Sequence, residues 1–138
     1  MSESREHQAI IESAARWLRY AKRCEIVLVN PRHPTQAERP DVIGWDRNGR
    51  SYVVEAKASV DDLRNDHRKH AMRVGLYRYY AAPAGVWRGV QTSAWMLGQG
   101  MLTVERGTLA VNQEASEQQG SARLELAWLM WAMATGGK

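Results

Sequence analysis

Apolar residues recur at helical spacing from Ile10 to Ala21, and this periodicity predicts an amphipathic helix over residues 5–23. Ser4 stands at the position of an N-cap, where a side-chain oxygen accepts a backbone N–H of the first turn. Residues 25–30 then hold the run Ile-Val-Leu-Val, which predicts a short buried strand. The chain therefore begins with a helix followed by a strand.

Two further apolar segments flank a polar turn and predict a β-hairpin. The first strand opens at Asp41, after a proline, and the second covers residues 51–59. Side chains alternate between the two faces of a strand, so Glu55 and Lys57 share one face and lie about 6–7 Å apart. Both charges stand within a run of Val and Ala, where an unpartnered charge is costly to bury.

The turn of this hairpin decides which residue faces Asp41. A two-residue turn would place Asp41 opposite Ala56, and the Asp41 side chain would then point away from Glu55. A three-residue loop over residues 47–49, with Gly49 in the left-handed conformation, would place Asp41 opposite Glu55. Both turns are compatible with the sequence. We favour the three-residue loop, partly because a shared cation would need both acids on one face.

The remaining pattern completes an α/β chain. Ser59 is a plausible N-cap for a second helix, whose apolar stripe extends to Val74. The last segment, residues 124–134, is a helix of Leu, Trp, Met and Ala that is too apolar for one buried face. It either fills the core or presents a homodimer interface. Between these helices we expect strands over residues 77–82, 92–104 and 108–111, with Pro83 and Gly85 ending the first, and a polar linker over residues 114–120.

Length and composition indicate a single domain. The chain has 138 residues, 44% of them apolar, which is enough for a hydrophobic core. We place that core at residues 5–112 and the C-terminal helix at residues 121–135. A net charge of +4 is compatible with a polyanionic partner. One cysteine, Cys24, excludes an internal disulfide, and no segment resembles a signal peptide or a membrane span. We expect a cytoplasmic protein.

Asp41, Glu55 and Lys57 together suit hydrolysis of a phosphodiester. Two carboxylates can hold a hard divalent cation, and a lysine can stabilise charge that develops on the phosphate. The alternative is a solvated strand face that carries ordinary charges. The four histidines fit no familiar zinc spacing, and His7 lies near the apolar face of the first helix.

The tripeptides Arg-Pro-Asp at 39–41 and Glu-Ala-Lys at 55–57 resemble the signature of the PD-(D/E)xK nuclease superfamily. Longer stretches, at residues 14–18, 54–59, 75–80 and 100–102, look like the MmcB-like DNA repair family and its phage relatives. The resemblance implies a restriction-endonuclease-like core, with a central mixed sheet flanked by helices.

The resemblance also implies roles for the residues of the motif. Asp41, Glu55 and the backbone carbonyl of Ala56 would hold Mg²⁺ or Mn²⁺, and Lys57 would orient or deprotonate the attacking water. Many members of the superfamily add a third acid from the first helix or the first strand, and this chain departs from that pattern. Asn30 ends the first strand, while Glu6 and His7 on the first helix are candidate accessory residues.

Lys69 and Arg73 lie on one polar stripe of the second predicted helix. They either contact the phosphates of DNA or form a solvated face. The resulting expectation is a magnesium-dependent DNA endonuclease acting in DNA repair or in the DNA metabolism of phages and mobile elements. The alternative is a catalytically inactive nucleic-acid-binding or scaffold protein with the same fold. A third interpretation, an RNA-directed nuclease, has no residue pattern that favours it.

Overall fold

The computed structural model describes residues 4–66, 73–90 and 98–138, which form a six-stranded mixed sheet flanked by helices. The predicted α/β class is thereby confirmed. In chain order the helices and strands are α1 (Arg5–Ala21), β1 (Ile26–Val29), β2 (Val42–Trp45), β3 (Ser51–Ala56), α2 (Val60–Asp66), β4 (Tyr77–Pro83), α3 (Ala84–Arg88), β5 (Gly100–Glu105), β6 (Thr108–Gln113) and α4 (Ala122–Thr135).

The strands lie in the sheet in the order of the sequence, from β1 to β6. The pairs β1–β2, β2–β3 and β5–β6 are antiparallel, while β3–β4 and β4–β5 are parallel. Because β3, β4 and β5 run in the same direction, their carboxyl ends meet at one edge of the sheet. The start of β2 lies at this same edge, opposite the end of β3.

Each face of the sheet is covered by apolar residues of one long helix. On one face, Ile10 and Leu18 of α1 belong to a buried cluster that includes Val54 of β3. On the other face, Trp128 of α4 belongs to a cluster that includes Val53, the preceding residue of β3. The alternation of neighbouring side chains thus distributes the apolar residues of β3 between two core layers.

The short helix α3 was not predicted from the sequence. Pro83 and Gly85 predict the end of a strand, and β4 does end at Pro83. Pro83 is also the N-cap of α3, with extended backbone angles of φ −62° and ψ 156°. Proline is well tolerated at a helix start because it lacks only an N–H that has no intrahelical partner there.

Beyond differences of one or two residues at helix and strand ends, three predicted segments are too long. The strand expected over residues 51–59 ends at Ala56. The second helix was expected to extend to Val74, but Arg73 and Val74 are not helical, and Val74 packs under α4. The strand predicted over residues 92–104 begins at Gly100, and residues 98 and 99 do not belong to it. Residues 91–97, the first part of that prediction, lie outside the described residues.

The C-terminal helix α4 is buried along one side and exposed along the other. Trp128 and Ala132 are buried, while Leu126, Met130 and Met133 are 56%, 60% and 69% exposed. The prediction that α4 fills part of the core is therefore confirmed, and the homodimer interface stays a prediction. Across the ranges that the structure describes, no helix is long and apolar enough to cross a bilayer.

Candidate functional site

The register of the β2–β3 hairpin places Asp41 opposite Glu55. Val42 pairs with Val54 and Trp45 pairs with Ser51, and continuing this register by one step brings Asp41 opposite Glu55. At the other end the loop covers three residues and ends at Gly49, whose φ of +79° is left-handed. The three-residue turn is therefore confirmed, and the two-residue alternative is wrong.

Asp41 completes the hydrogen bonding of β3 where β2 has ended. Antiparallel ladders bond at every second residue, and the bond from the Asp46 N–H to the Arg50 carbonyl sets this alternation. The next N–H of β3 that faces β2 beyond Val42 is that of Ala56. The Ala56 N–H donates to Oδ2 of Asp41 at 2.8 Å, so a carboxylate serves where a backbone carbonyl would otherwise accept.

His7 of α1 reaches the same point from the neighbouring layer. Its Nε2 lies 2.9 Å from the Ala56 carbonyl oxygen and 3.5 Å from Oδ2 of Asp41. A carbonyl oxygen can only accept a hydrogen bond, so the Nε2 atom carries a hydrogen and donates a hydrogen bond to the Ala56 carbonyl. One polar hydrogen thus lies beside two oxygen atoms that the resemblance assigns to a metal. The first turn of α1 that presents His7 is capped by Ser4, whose Oγ accepts the His7 backbone N–H.

Glu55 contacts an arginine that the sequence analysis did not single out. Oε1 of Glu55 lies 3.4 Å from a terminal nitrogen of Arg78, and the Arg78 side chain is only 4% exposed. The other terminal nitrogen lies 3.1 Å from Oε2 of Glu38. The signal that could have revealed this contact is a charged residue within the apolar run of β4, because a buried charge requires partners.

Lys57 follows directly after β3. Its backbone N–H donates to the carbonyl of Ala81 at 2.9 Å, which prolongs the parallel ladder with β4 by one bond. The Lys57 side chain is half-buried. Lys57 lies two positions beyond Glu55 along the chain, and its place on the same face stays a prediction.

The accessory residues differ in where they lie. Asn30 has a φ of +50°, and its N–H donates to the Asp41 carbonyl at 2.8 Å, so it abuts the site through its backbone. Glu6, a candidate accessory residue on α1, is exposed. Among residues 4–66, 73–90 and 98–138, no group of three His, Cys, Asp or Glu side chains could hold a metal ion. A metal at this point would therefore need the Ala56 carbonyl as well as side chains.

A second aspartate, Asp46, lies at the turn end of the same hairpin. Its Oδ1 accepts the backbone N–H groups of Asn48 and Arg50, and its Oδ2 accepts from the Arg50 side chain and the Tyr52 hydroxyl. Burial by itself raises the pKa of Asp46, but the hydrogen bonds from Arg50 and Asn48 outweigh it, so the pKa lies below its usual range. This carboxylate organises the turn.

Only one of the two residues predicted to contact DNA lies within the described residues. Lys69 lies outside the described residues. Arg73 is half-buried and precedes β4 in a non-helical segment, so it is not part of the helical polar stripe that the sequence predicts. Its carbonyl accepts from the side chain of Gln118 at 3.3 Å. Phosphate contacts by either residue stay a prediction.

Comparison with known proteins gives one structural relative. No family model and no curated protein matches the chain. A solved structure described as "SPO1766 protein of unknown function from Silicibacter pomeroyi" matches with a TM-score of 0.69 and 17% sequence identity. The match covers 98% of this chain and 95% of the other. At this level of identity the likeness shows a shared fold, and it assigns neither family nor activity.

Proposed function

We propose that the protein is a metal-dependent nuclease of the PD-(D/E)xK type that hydrolyses DNA phosphodiester bonds, in DNA repair or in phage and mobile-element DNA metabolism. The observation that carries this proposal is the hairpin register. It brings Asp41 opposite Glu55 at the open end of β2 and β3, with Lys57 two residues further on. The resemblance to the MmcB-like family directs the proposal toward DNA.

The donor atoms at this point suit a hard divalent cation. Asp41 Oδ2 and the Ala56 carbonyl oxygen both lie within 3.5 Å of one atom, Nε2 of His7. Carboxylate and carbonyl oxygens are the ligands that Mg²⁺ and Mn²⁺ prefer. Glu55 would become a further ligand of the cation if its side chain turned away from Arg78. His7 would then give up its hydrogen bond to the Ala56 carbonyl. A bound cation supplies charge neutralisation at the phosphate and a more acidic water.

The remaining roles belong to the side chains of the protein. Lys57 places a positive charge beside the anion that develops at phosphorus and orients the attacking water. Lys69 and Arg73 hold the DNA backbone and so fix which phosphate lies at the site. Contacts of this kind are independent of base sequence.

A non-catalytic nucleic-acid-binding protein is the second candidate, and two observations favour it. Asn30, which carries no charge, directly follows β1, where the resemblance implies a third acid in many members of the superfamily. Glu55 contacts Arg78, a cation that already neutralises part of its charge. Both features reduce the negative charge available to a metal.

A cleavage assay with separate binding measurements distinguishes these functions. Supercoiled plasmid, linear duplex, single-stranded DNA and RNA are incubated with Mg²⁺, with Mn²⁺ or with EDTA, and binding is followed by fluorescence anisotropy. The nuclease proposal expects DNA cleavage that EDTA stops and that Asp41→Ala removes. DNA binding without cleavage in either metal would favour the non-catalytic protein, and preferential cleavage of RNA would change the substrate class.

The control for the assay is Glu25→Gln. Glu25 is an exposed acid beside β1 that pairs with Arg47 at the opposite end of the hairpin. Its loss removes one negative charge from the protein without touching the proposed site, so cleavage should be unchanged.

A further inference from the structure

Arg78 is a buried cation with two acidic partners. It lies in β4, and its guanidinium contacts Glu38, Glu55 and the carbonyl of Val74. Among the described residues, the positive charge of Arg78 therefore faces the negative charges of Glu38 and Glu55, whose side chains are 21% and 14% exposed. A buried charge is tolerated only when it is paired and hydrogen-bonded, so this arrangement constrains all three side chains.

Glu38 holds Arg78 in place. Its Oε1 accepts the backbone N–H of Val74 at 2.9 Å, while its Oε2 lies 3.1 Å from Arg78. Glu38 precedes Asp41 by three residues, so these bonds connect the segment that leads to Asp41 with the segment that leads into β4. The shorter distance from Arg78 is to Glu38, and the longer one, 3.4 Å, is to Glu55.

We propose that Arg78 is a positioning residue that regulates metal binding by competing with the divalent cation for Glu55, and that Glu38 sets the strength of this competition. This inference rests on the metal-dependent function proposed above. When Glu55 turns to a metal, Arg78 keeps Glu38 and the Val74 carbonyl as partners. The guanidinium is then still paired, so the release of Glu55 leaves no isolated charge in the interior.

The competition predicts opposite effects for two substitutions. Glu38→Gln removes one of the two negative charges, so the positive charge of Arg78 acts more strongly on Glu55, and Mn²⁺ affinity falls. Arg78→Lys keeps a positive charge but loses the planar fork that reaches two carboxylates at once. Glu55 is then held less tightly, and Mn²⁺ affinity rises. Each change should be about threefold or more, the range expected for one ion pair.

The experiment measures the Kd of Mn²⁺ for the full chain by electron paramagnetic resonance of the free ion. Wild type is compared with Glu38→Gln, Arg78→Lys and the reference variant Asp41→Asn. Arg50→Lys is the matched control because Arg50 also pairs with an aspartate, Asp46, but at the turn end of the hairpin. Circular dichroism and thermal unfolding identify any variant that does not fold.

Opposite shifts in Glu38→Gln and Arg78→Lys, with Arg50→Lys unchanged, support the inference. General damage to the fold would weaken Mn²⁺ binding in both variants and so overturns it, as would two unchanged affinities. If Arg78→Lys does not fold, the Kd of Mn²⁺ for Glu38→Gln alone tests the inference. An unchanged or lower Kd would then contradict a competition between Arg78 and the cation for Glu55. Wild-type protein that binds no Mn²⁺, or binding that Asp41→Asn leaves intact, overturns the proposed metal-dependent function itself.

Discussion

The two ends of the β2–β3 hairpin carry the same residue type in opposite situations. At the turn end, Asp46 receives four hydrogen bonds, two of them from backbone N–H groups of its own loop. At the open end, Asp41 receives the Ala56 N–H and lies 3.5 Å from His7. Asp46 therefore has its lone pairs occupied by donors of the turn and of β3, while Asp41 lies among groups contributed by β3 and α1.

This contrast shows how neighbouring donors separate a structural carboxylate from a candidate ligand. A carboxylate whose oxygens already accept hydrogen bonds from nearby donors has few lone pairs free to coordinate a cation. A carboxylate at the point where two strands separate can accept a hydrogen bond from the neighbouring strand and still keep lone pairs for a cation. Substitutions at the two ends of the hairpin should therefore have different effects.

Loss of the open-end residues should abolish catalysis. If the proposed function holds, Asp41→Ala, Glu55→Ala and Lys57→Ala should each lower Mg²⁺- or Mn²⁺-dependent DNA cleavage by about 100-fold or more, because each would remove a proposed cation ligand or a proposed charge at the phosphate. Asp46→Asn at the turn end should retain cleavage. The measurement is initial rate on plasmid DNA at saturating metal. EDTA-sensitive cleavage that survives in all three alanine variants would show that the assignment is wrong.

Loss of the turn-end carboxylate should instead cost stability. Asp46→Ala removes several hydrogen bonds and the partner of Arg50, so the free energy of unfolding should fall by about 2–3 kcal/mol. Asp41→Ala, which loses the bond to Ala56, should cost less than about 1 kcal/mol. Urea unfolding at pH 7 followed by circular dichroism measures both. Equal losses would remove the distinction between the two aspartates.

The lowered pKa of Asp46 predicts a dependence of stability on acid. Because the pKa is lower in the folded protein than in the unfolded chain, the ionised carboxylate stabilises the fold above about pH 4, and this contribution is lost as the pH falls through the folded-state pKa. The stability difference between wild type and Asp46→Asn should therefore shrink between pH 5 and about pH 2. A difference independent of pH would contradict the role of the charge.

The left-handed glycine of the turn sets the register of the open end. Gly49→Val should cost about 1 kcal/mol of stability or more, because a β-branched residue resists a positive φ. A Cβ at this position would meet only a methyl carbon of Leu129, at 4.0 Å, so the cost comes from the backbone. Gly49→Asn is the control, since asparagine tolerates this conformation, and it should cost less. Equal costs would mean that the strain is not conformational.

DNA binding should show the smallest effects of single substitutions. Lys69→Ala and Arg73→Ala should each weaken binding about threefold on every sequence and reduce the dependence of affinity on salt. Arg47→Ala at the turn end removes the same charge and should change binding less. Anisotropy titrations between 50 and about 200 mM salt measure the DNA affinity of each variant and its dependence on salt. An affinity that is independent of salt would favour a protein-interaction role.

Local signals in the sequence were sufficient to predict much of the fold. The period of apolar residues in α1, the cap at Ser4 and the glycine of the turn are properties of neighbouring residues, and each is present in the structure. The register does not follow from the turn residues alone, because Asn48 and Gly49 also suit a two-residue turn, whereas the structure has the three-residue loop. The helix α3 was missed because Pro83 has the same local signature whether it ends a strand or begins a helix.

The surroundings of the candidate site could not be predicted in this way. Arg78 contacts Glu55 across 23 positions of the chain, and His7 contacts Ala56 across 49. Such contacts depend on how β4 and α1 pack against the hairpin. The helical angle places His7 near the apolar face of α1, but it does not show that the imidazole contacts the Ala56 carbonyl of β3.

A crystal soaked in Mn²⁺ would show whether the open end of the hairpin binds a divalent cation, as proposed. We expect an anomalous density peak about 2.0–2.4 Å from Asp41, Glu55 and the Ala56 carbonyl, with Glu55 turned from Arg78 and the turn around Asp46 unchanged. Crystals at saturating Mn²⁺ with no peak there, and with Glu55 still on Arg78, would contradict it.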